Sequence, residues 1–142
     1  MRTGMFAVAA VVALLAAGSV SAEVLHFTAK LDGASETPPN DSKGKGEAWV
    51  NLDMATKGLD WKAEYSGLSG PATMAHFHGP APVGKAAGVA VPLKGDLASP
   101  TKGSATLTDA QIADLKAGQW YLNIHTAAHP GGEIRGQLVA AK

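Results

Sequence analysis

Apolar and polar residues alternate along most of the chain, in short segments separated by turn residues. The segments that show this alternation are residues 24–31, 46–54, 58–66, 73–78, 88–93 and 103–107. A period of two is typical of β-strands that have one buried face. The pattern therefore predicts a series of short strands, with a long turn-rich loop over residues 33–46.

One helix and one hairpin complete the predicted secondary structure. Thr108 and Gln111 form a capping box, and Gly118 marks the end of the predicted helix. The stretch QWYLNIHT, then AAHPGG, then EIRGQLVA is typical of two antiparallel strands joined by a Pro-Gly-Gly turn. Eight short strands and one small helix predict an all-β fold, an antiparallel β-sandwich.

The first 22 residues have a different character from the rest. Arg2 is followed by a short apolar run, and Val20-Ser21-Ala22 is a small-x-small cleavage pattern. We interpret residues 1–22 as a secretory signal peptide cleaved near Ala22, and residues 23–142 as one periplasmic or secreted domain. The sequence predicts no membrane span in this mature chain, because it holds no second long apolar run.

Charge and cysteine content exclude several functional classes. Without Arg2 the chain carries eleven Lys and Arg against twelve Asp and Glu, and a near-neutral chain without basic runs is a poor nucleic-acid binder. It has no cysteine, which excludes disulfides, a thiol nucleophile, a cysteine zinc site and a blue-copper centre. It also lacks a G-x-S-x-G elbow and a phosphate-binding glycine loop. Any metal must therefore be held by His, Met, carboxylate or backbone ligands.

Strand periodicity predicts where the histidines of MAHFHGP, residues 74–80, point. Phe77 most needs burial, which places Met74, His76 and His78 on the opposite, outward face. Same-face neighbours lie roughly 6.6 Å apart at their Cα atoms. Two imidazoles at that spacing can reach one ion at about 2 Å from each nitrogen. The alternative is a pair of solvated surface histidines.

The last hairpin carries two more candidate histidines. Its apolar residues are predicted to face the core, so the residues between them face outward. This outward set is Tyr121, Asn123, His125, Glu133, Arg135 and Gln137. His125 then lies beside Arg135 on an outer face, with His129 in the connecting turn. A hydrogen-bonded sheet histidine and an exposed turn histidine are the alternatives, and strand order decides whether this pair adjoins His76 and His78.

Six segments together resemble the CHRD domain, a module named after chordin and frequent in exported bacterial proteins. They are ETPP at 36–39, GEA at 46–48, AHFHGPA at 75–81, LKAG at 115–118, WYLNIHT at 120–126 and GEIRGQL at 132–138. The combination of H-x-H-G-P-A with the later G-E-I-R-G-Q-L is the specific part. The resemblance covers about Val24 to Val139. It implies an immunoglobulin-like β-sandwich, distantly similar to the copper/zinc superoxide dismutases.

The resemblance to the dismutases implies a set of site residues. Those enzymes hold copper through H-x-H on one strand and a third histidine on a late strand, with an arginine close by. His76 and His78 match the pair, His125 matches the third ligand, and Arg135 matches the arginine. The segment GPAPVGKAAG after the pair contains no histidine and no acid. The bridging and zinc ligands of the dismutases therefore have no counterpart, and the implied site is mononuclear.

Three functions follow from these residues. The first is an exported protein that holds one copper ion, with zinc as the alternative, for storage, delivery or tolerance. Its expected ligands are His76, His78, His125 and His129, with Met74 as a further candidate. Copper is expected because imidazoles suit copper, zinc and nickel, and copper binds most tightly of the divalent ions. The second is a non-catalytic module that binds another exported protein. The third is a mononuclear-copper redox protein that acts on superoxide. No residue pattern predicts catalysis directly.

Overall fold

The computed structural model describes residues 23–142 and consists of strands with one short helix. The elements are β1 (Val24–Asp32), β2 (Lys45–Asp53), β3 (Gly58–Ser66), β4 (Ala72–His78), β5 (Val89–Pro92), β6 (Thr101–Thr106), α1 (Asp109–Lys116), β7 (Tyr121–Thr126), β8 (Ile134–Gln137) and β9 (Val139–Ala140). The all-β prediction is confirmed. The described part has nine strands rather than eight, because Leu138 separates the last predicted strand into β8 and β9. The predicted signal peptide lies outside the described residues.

The strands form one antiparallel sheet that is nearly closed on itself. Their order is β5-β4-β7-β8-β1-β2-β3-β6, and β9 pairs with β1 beside β8. The first three strands form a meander with long, uninterrupted pairing, from Val24 opposite Asp53 to Asp32 opposite Lys45. The short strands β5 and β6 are the two ends of this order, so the closure is incomplete between them.

The core lies between the two halves of the folded sheet. Trp61 of β3 packs edge-on against Phe77 of β4, with ring centroids 5.4 Å apart, and Phe77 lies 6.0 Å from Trp120. Because β3 and β4 are distant in the strand order, this aromatic group joins the two halves. Full burial of each such side chain stabilises the fold by about 1.5–3 kcal/mol. Phe77 is therefore fixed inward, as its sequence position predicted, and His76 and His78 are fixed on the other face.

The pairing of β4, β7 and β8 brings the candidate residues onto one face. In the β4–β7 pair, His76 lies opposite Asn123, His78 opposite Tyr121 and Met74 opposite His125. The prediction that these side chains point away from the aromatic core is confirmed by this register.

The outward set of the last hairpin lies on the face away from the aromatic core, but most of this set is buried. Tyr121, Asn123, His125, Glu133 and Arg135 are each no more than 7% exposed. The loop over residues 33–44 covers them. Asn40 Nδ2 donates to the Glu133 carbonyl at 3.0 Å, Ser42 Oγ donates to Glu133 Oε2 at 2.7 Å, and Arg135 donates to Thr37 Oγ1 at 3.2 Å. The face of the sheet opposite the aromatic core therefore carries a second buried layer, which is polar.

Helix α1 follows its sequence signals. The side chain of Thr108 accepts from the backbone N–H of Gln111, and the side chain of Gln111 accepts from that of Thr108. Ile112 and Leu115 are its buried residues. Gly118, at φ +73° just after the helix, takes the left-handed conformation that ends it. In residues 23–142, no helix is both long enough and apolar enough to cross a membrane.

Candidate metal centre

Three of the four predicted histidine ligands meet in one cluster. His76 Nδ1 lies 3.1 Å from His125 Nε2. One ring nitrogen from each of His76, His78 and His125 lies within 4.8 Å of the others. The adjacency of β4 and β7 brings them together, since His76 and His78 share a face of β4 and His125 lies on the same face of β7. The sequence showed two separate pairs of histidines, and the structure brings three of these four residues into one cluster.

Two backbone carbonyls orient the rings of His78 and His125. His78 Nδ1 lies 2.9 Å from the Ala87 carbonyl oxygen, and His125 Nδ1 lies 2.8 Å from that of Pro130. A carbonyl oxygen can only accept, so each Nδ1 carries the proton. In a neutral imidazole the Nε2 atom then presents a lone pair. This arrangement, with one nitrogen anchored and the other free, is the one that metal-binding histidines have.

The side-chain oxygen of Asn123 faces the same point as these lone pairs. Asn123 Oδ1 lies 2.9 Å from His78 Nε2 and 3.1 Å from His125 Nε2. Its amide nitrogen points the other way, toward Gly132, where an added Cβ would lie 2.7 Å from Asn123 Nδ2 and would collide with Glu36 Oε1. An amide oxygen only accepts hydrogen bonds. Three acceptors therefore converge, namely Asn123 Oδ1 and the Nε2 atoms of His78 and His125, while His76 Nδ1 donates or accepts according to its tautomer. A cation satisfies such a group.

A proton on one imidazole would also satisfy these contacts, but the surroundings of the cluster oppose it. Burial, followed by repulsion from His125 and His78, lowers the pKa of His76. Burial also lowers the pKa of His78, against hydrogen bonds that act in the other direction. Both rings are therefore held in the neutral, ligating form to lower pH than an ordinary histidine. The donor set fits a metal ion.

The other candidate ligands lie outside the cluster. His129 Nε2 is 4.0 Å from Glu133 Oε1 in the β7–β8 turn. The side chain of Met74 is 46% exposed. His26 is in contact with a different residue, since its Nδ1 lies 2.6 Å from Asn51 Oδ1. Three of the four expected histidines therefore lie in the cluster, and His129 does not. Metal binding itself stays a prediction.

The side chains of His78, Tyr121 and Arg135 form a stack. The rings of His78 and Tyr121 are parallel within 4°, with centroids 4.8 Å apart. Arg135 Cζ lies 3.5 Å from the centroid of Tyr121. Since β4 and β8 flank β7, the Tyr121 ring lies between the imidazole and the guanidinium. The arginine that the dismutase comparison places beside the metal is therefore buried. Tyr121 separates it from His78, and in the strand pairing it lies opposite Asn123.

Glu133 ties the loops around the cluster to the sheet. Its side chain is fully buried and accepts hydrogen bonds from the hydroxyls of Ser42, Ser69 and Thr126. Burial alone would raise the pKa of Glu133, but the hydrogen bonds, led by Ser69, outweigh it and lower the pKa to about 2. An ionised carboxylate thus holds together loop 33–44, the loop after β3 and the end of β7.

The contacts of Asn123 and Tyr121 with the clustered histidines were not predicted from the sequence. Both alternate with His125 in WYLNIHT, so their common face was visible. Their contacts with His76 and His78 depend on the pairing of β7 with β4. That pairing joins residues about fifty positions apart, and no local signal marks it.

These observations define the class of the protein as an all-β domain that carries a partly buried three-histidine cluster. The family model of the CHRD domain matches residues 27–138, and the chain belongs to the CHRD family, as its segments predicted. Chordin of Xenopus laevis is 34% identical over 122 residues, a match that covers 76% of this chain and 12% of chordin. No solved structure matches the chain, so the likeness to superoxide dismutases stays an analogy drawn from sequence.

Proposed function

We propose that this CHRD domain is an exported protein that binds one metal ion through His76, His78 and His125. The observation that carries the proposal is the convergence of ring nitrogens from these residues with Asn123 Oδ1 at one point. The two carbonyl-anchored imidazoles support it, because their free nitrogens are pre-oriented. Export is part of the proposal and rests on the signal-peptide features of residues 1–22.

Copper is the proposed ion, with zinc as the alternative. The donor set holds imidazole nitrogens and one amide oxygen, and no thiolate or carboxylate. Imidazoles suit copper and zinc, and copper has the higher affinity of the two. The proposed role is storage, delivery or tolerance. The fourth position belongs to Asn123, to water or to a delivery partner, rather than to His129.

A second candidate function is a non-catalytic module that binds another exported protein. The match to chordin favours it. The chain covers only 12% of chordin, so the partners of the larger protein cannot be transferred to it. Under this hypothesis the three histidines and Asn123 form a structural hydrogen-bonded group, and the domain needs no metal.

Metal analysis of residues 23–142 separates the two functions. The protein is loaded with Cu²⁺ or Zn²⁺, desalted and assayed for bound metal, beside a His76→Ala/His78→Ala variant. A His26→Ala/His129→Ala variant is the matched control, because it also loses two histidines but leaves the cluster intact. We expect one ion per chain in the wild type and the control and none in the cluster variant. Equal metal in all three proteins, or none in the wild type, would refute the metal site.

A further inference from the structure

We propose that the free edge of β6 binds an extended acidic segment of another protein and adds it to the sheet as a further strand. The added strand lies in the groove between β6 and β5, where the closure of the sheet is incomplete. This inference is independent of the metal site. It gives the second candidate function a surface and a partner of stated chemistry.

The outer edge of β6 carries backbone groups that pair with no other strand in residues 23–142. β6 pairs with β3, and just beyond the last pair Leu107 N donates to the Lys57 carbonyl at 2.9 Å. Residues that hydrogen-bond across an antiparallel pair recur at every second position. The backbone groups of Lys102, Ser104 and Thr106 therefore point away from β3, and all three residues are exposed. Such a row of donors and acceptors is the template for an added strand.

The facing strand, β5, offers no comparable edge. Leu93 N donates to the Ala75 carbonyl at 2.9 Å, and by the same alternation the backbone of Pro92 points away from β4. Pro92 has no N–H to donate. The Ala90 carbonyl already accepts from Gln111 Nε2 at 3.2 Å. β5 therefore forms a wall of the groove, and the added strand pairs with β6 alone.

The groove has space for side chains of the added strand. Its volume is about 360 Å³, and its walls include Trp61, Ala90, Val91 and Ala105. Trp61 lies opposite Gly103, where an added Cβ would collide with the indole ring. In the described part of the chain, Trp61 Nε1 is buried without a hydrogen-bond partner. Because an unpaired buried donor is unfavourable, an acceptor on the added strand that reaches this nitrogen contributes to binding.

Charge favours an acidic partner over a second copy of this chain. Lys94 lines the groove and Lys102 is exposed on β6. The described residues that line the groove include no acid. Lysine on an edge strand opposes the pairing of two like edges, because two copies of β6 bring their lysines close together. An acidic side chain on the added strand meets opposite charge instead. The partner is therefore an extended segment that carries Asp or Glu on its outward face.

The test titrates short blocked peptides into the isotope-labelled protein, residues 23–142, followed by NMR. The first peptide alternates Glu with Val and Thr, the second has Lys in place of Glu, and the third is the acidic peptide methylated at alternate backbone nitrogens. We expect the acidic peptide to protect the N–H groups of Lys102, Ser104 and Thr106 from hydrogen exchange and to shift the Trp61 Nε1–H resonance. The other two peptides should bind at least about tenfold more weakly, because they lose ladder hydrogen bonds or favourable charge.

Ser104→Pro tests the edge in the protein itself. It removes an outward N–H and leaves the hydrogen bonds between β6 and β3 in place, since proline is tolerated in edge strands. Ser104→Ala is the matched control, because it keeps this N–H. We expect Ser104→Pro to lose the acidic peptide and Ser104→Ala to retain it. If Ser104→Pro does not fold, as judged by circular dichroism, Lys94→Glu takes its place and should weaken binding of the acidic peptide roughly fivefold.

Three results would overturn the inference, and none of them bears on the metal site. If the acidic peptide does not bind, or binds equally well when methylated, no strand is added. If the protein sediments as a dimer that Ser104→Pro dissociates, the edge takes a second copy of the chain. If N-acetylglutamate shifts the Trp61 Nε1–H resonance and no peptide protects the edge, the groove is a site for small carboxylates.

Discussion

Asn123 is buried between the imidazoles of His78 and His125 and the side chain of Glu36. It lies on β7 two residues before His125, and its oxygen faces both His78 and His125. Gly132, at φ +124°, leaves room for its amide group and for Glu36, since a side chain at this position would collide with both. The orientation of Asn123 is therefore imposed by its surroundings, and its oxygen is kept directed at the histidines.

Replacing Asn123 by alanine is expected to weaken metal binding without abolishing it. The change removes the oxygen that faces the ion and the packing that fixes the rings, and loss of such supporting groups typically lowers metal affinity 10–100-fold. Competition titration with Zn²⁺ measures the effect. Asn51→Ala is the control, because Asn51 contacts His26 on an exposed face and should leave the affinity unchanged. An unaltered affinity in Asn123→Ala would place the ion away from the amide.

The lowered pKa of Glu133 is expected to make the free energy of unfolding depend on pH in acid. The pKa of Glu133 is about 2 in the folded protein and 4.5 in its ordinary state, so the unfolded chain binds its proton first as the pH falls. The carboxylate then stabilises the fold fully above pH 4.5, and this stabilisation is lost as the pH falls toward 2. The loss amounts to about 3 kcal/mol. Urea unfolding of the wild type should show it, whereas Glu133→Gln should be less stable at neutral pH and lack this pH dependence. Parallel curves for the two proteins would contradict the assignment.

The sequence predicts the direction of side chains better than their exposure. Phe77 fixed the face of His76 and His78 correctly, because a strand alternates with a period of two. The same rule gave the right face for Tyr121, Asn123 and His125 but did not show that they are buried. Loop 33–44 covers that face through contacts with Glu133 and Arg135, about ninety positions away. Such contacts have no periodic signal in the sequence.

At the scale of elements, the approach of β8 to β1 depends on a glycine. A Cβ at Gly136 would collide with the backbone oxygen of Lys30 and lie 2.7 Å from its carbonyl carbon. The strand would have to move away from β1, because backbone atoms cannot rotate aside as a side chain can. This close contact lies two residues from the Leu138 break between β8 and β9, in the strand that carries Arg135.

Gly136→Ala is therefore expected to destabilise the fold by about 1–3 kcal/mol, the usual effect of overpacking. Gly131→Ala is the matched control, since an added Cβ at that turn position has no neighbour within 4 Å and the backbone conformation is not restricted to glycine. Urea unfolding midpoints measure both. A Gly136→Ala midpoint equal to that of Gly131→Ala would mean that β8 and β1 separate without penalty.

Strand order is the part of the fold that the sequence did not determine. The strands, the α1 capping box and the β7–β8 hairpin were all predicted, since each has a local signal. The β4–β7 pair has none, because its strands are separated by β5, β6 and α1. Whether the histidines formed one cluster or two depended on this pair alone. The family resemblance placed the three clustered histidines on the correct strands by analogy, but the position of His129 outside the cluster and of Asn123 beside it depended on the folded structure.

At the scale of the whole molecule, a metal ion in the cluster would join β4 to β7. An ion that binds only the folded chain stabilises it by about 2.7 kcal/mol when its free concentration is a hundred times the dissociation constant. For a domain of this size that corresponds to a rise in Tm of roughly 10 °C. Thermal unfolding of residues 23–142 with and without Zn²⁺ measures this rise. His129→Ala should retain it, because His129 lies outside the cluster, and His76→Ala/His78→Ala should lose it. A similar rise in the cluster variant would show that the ion binds elsewhere.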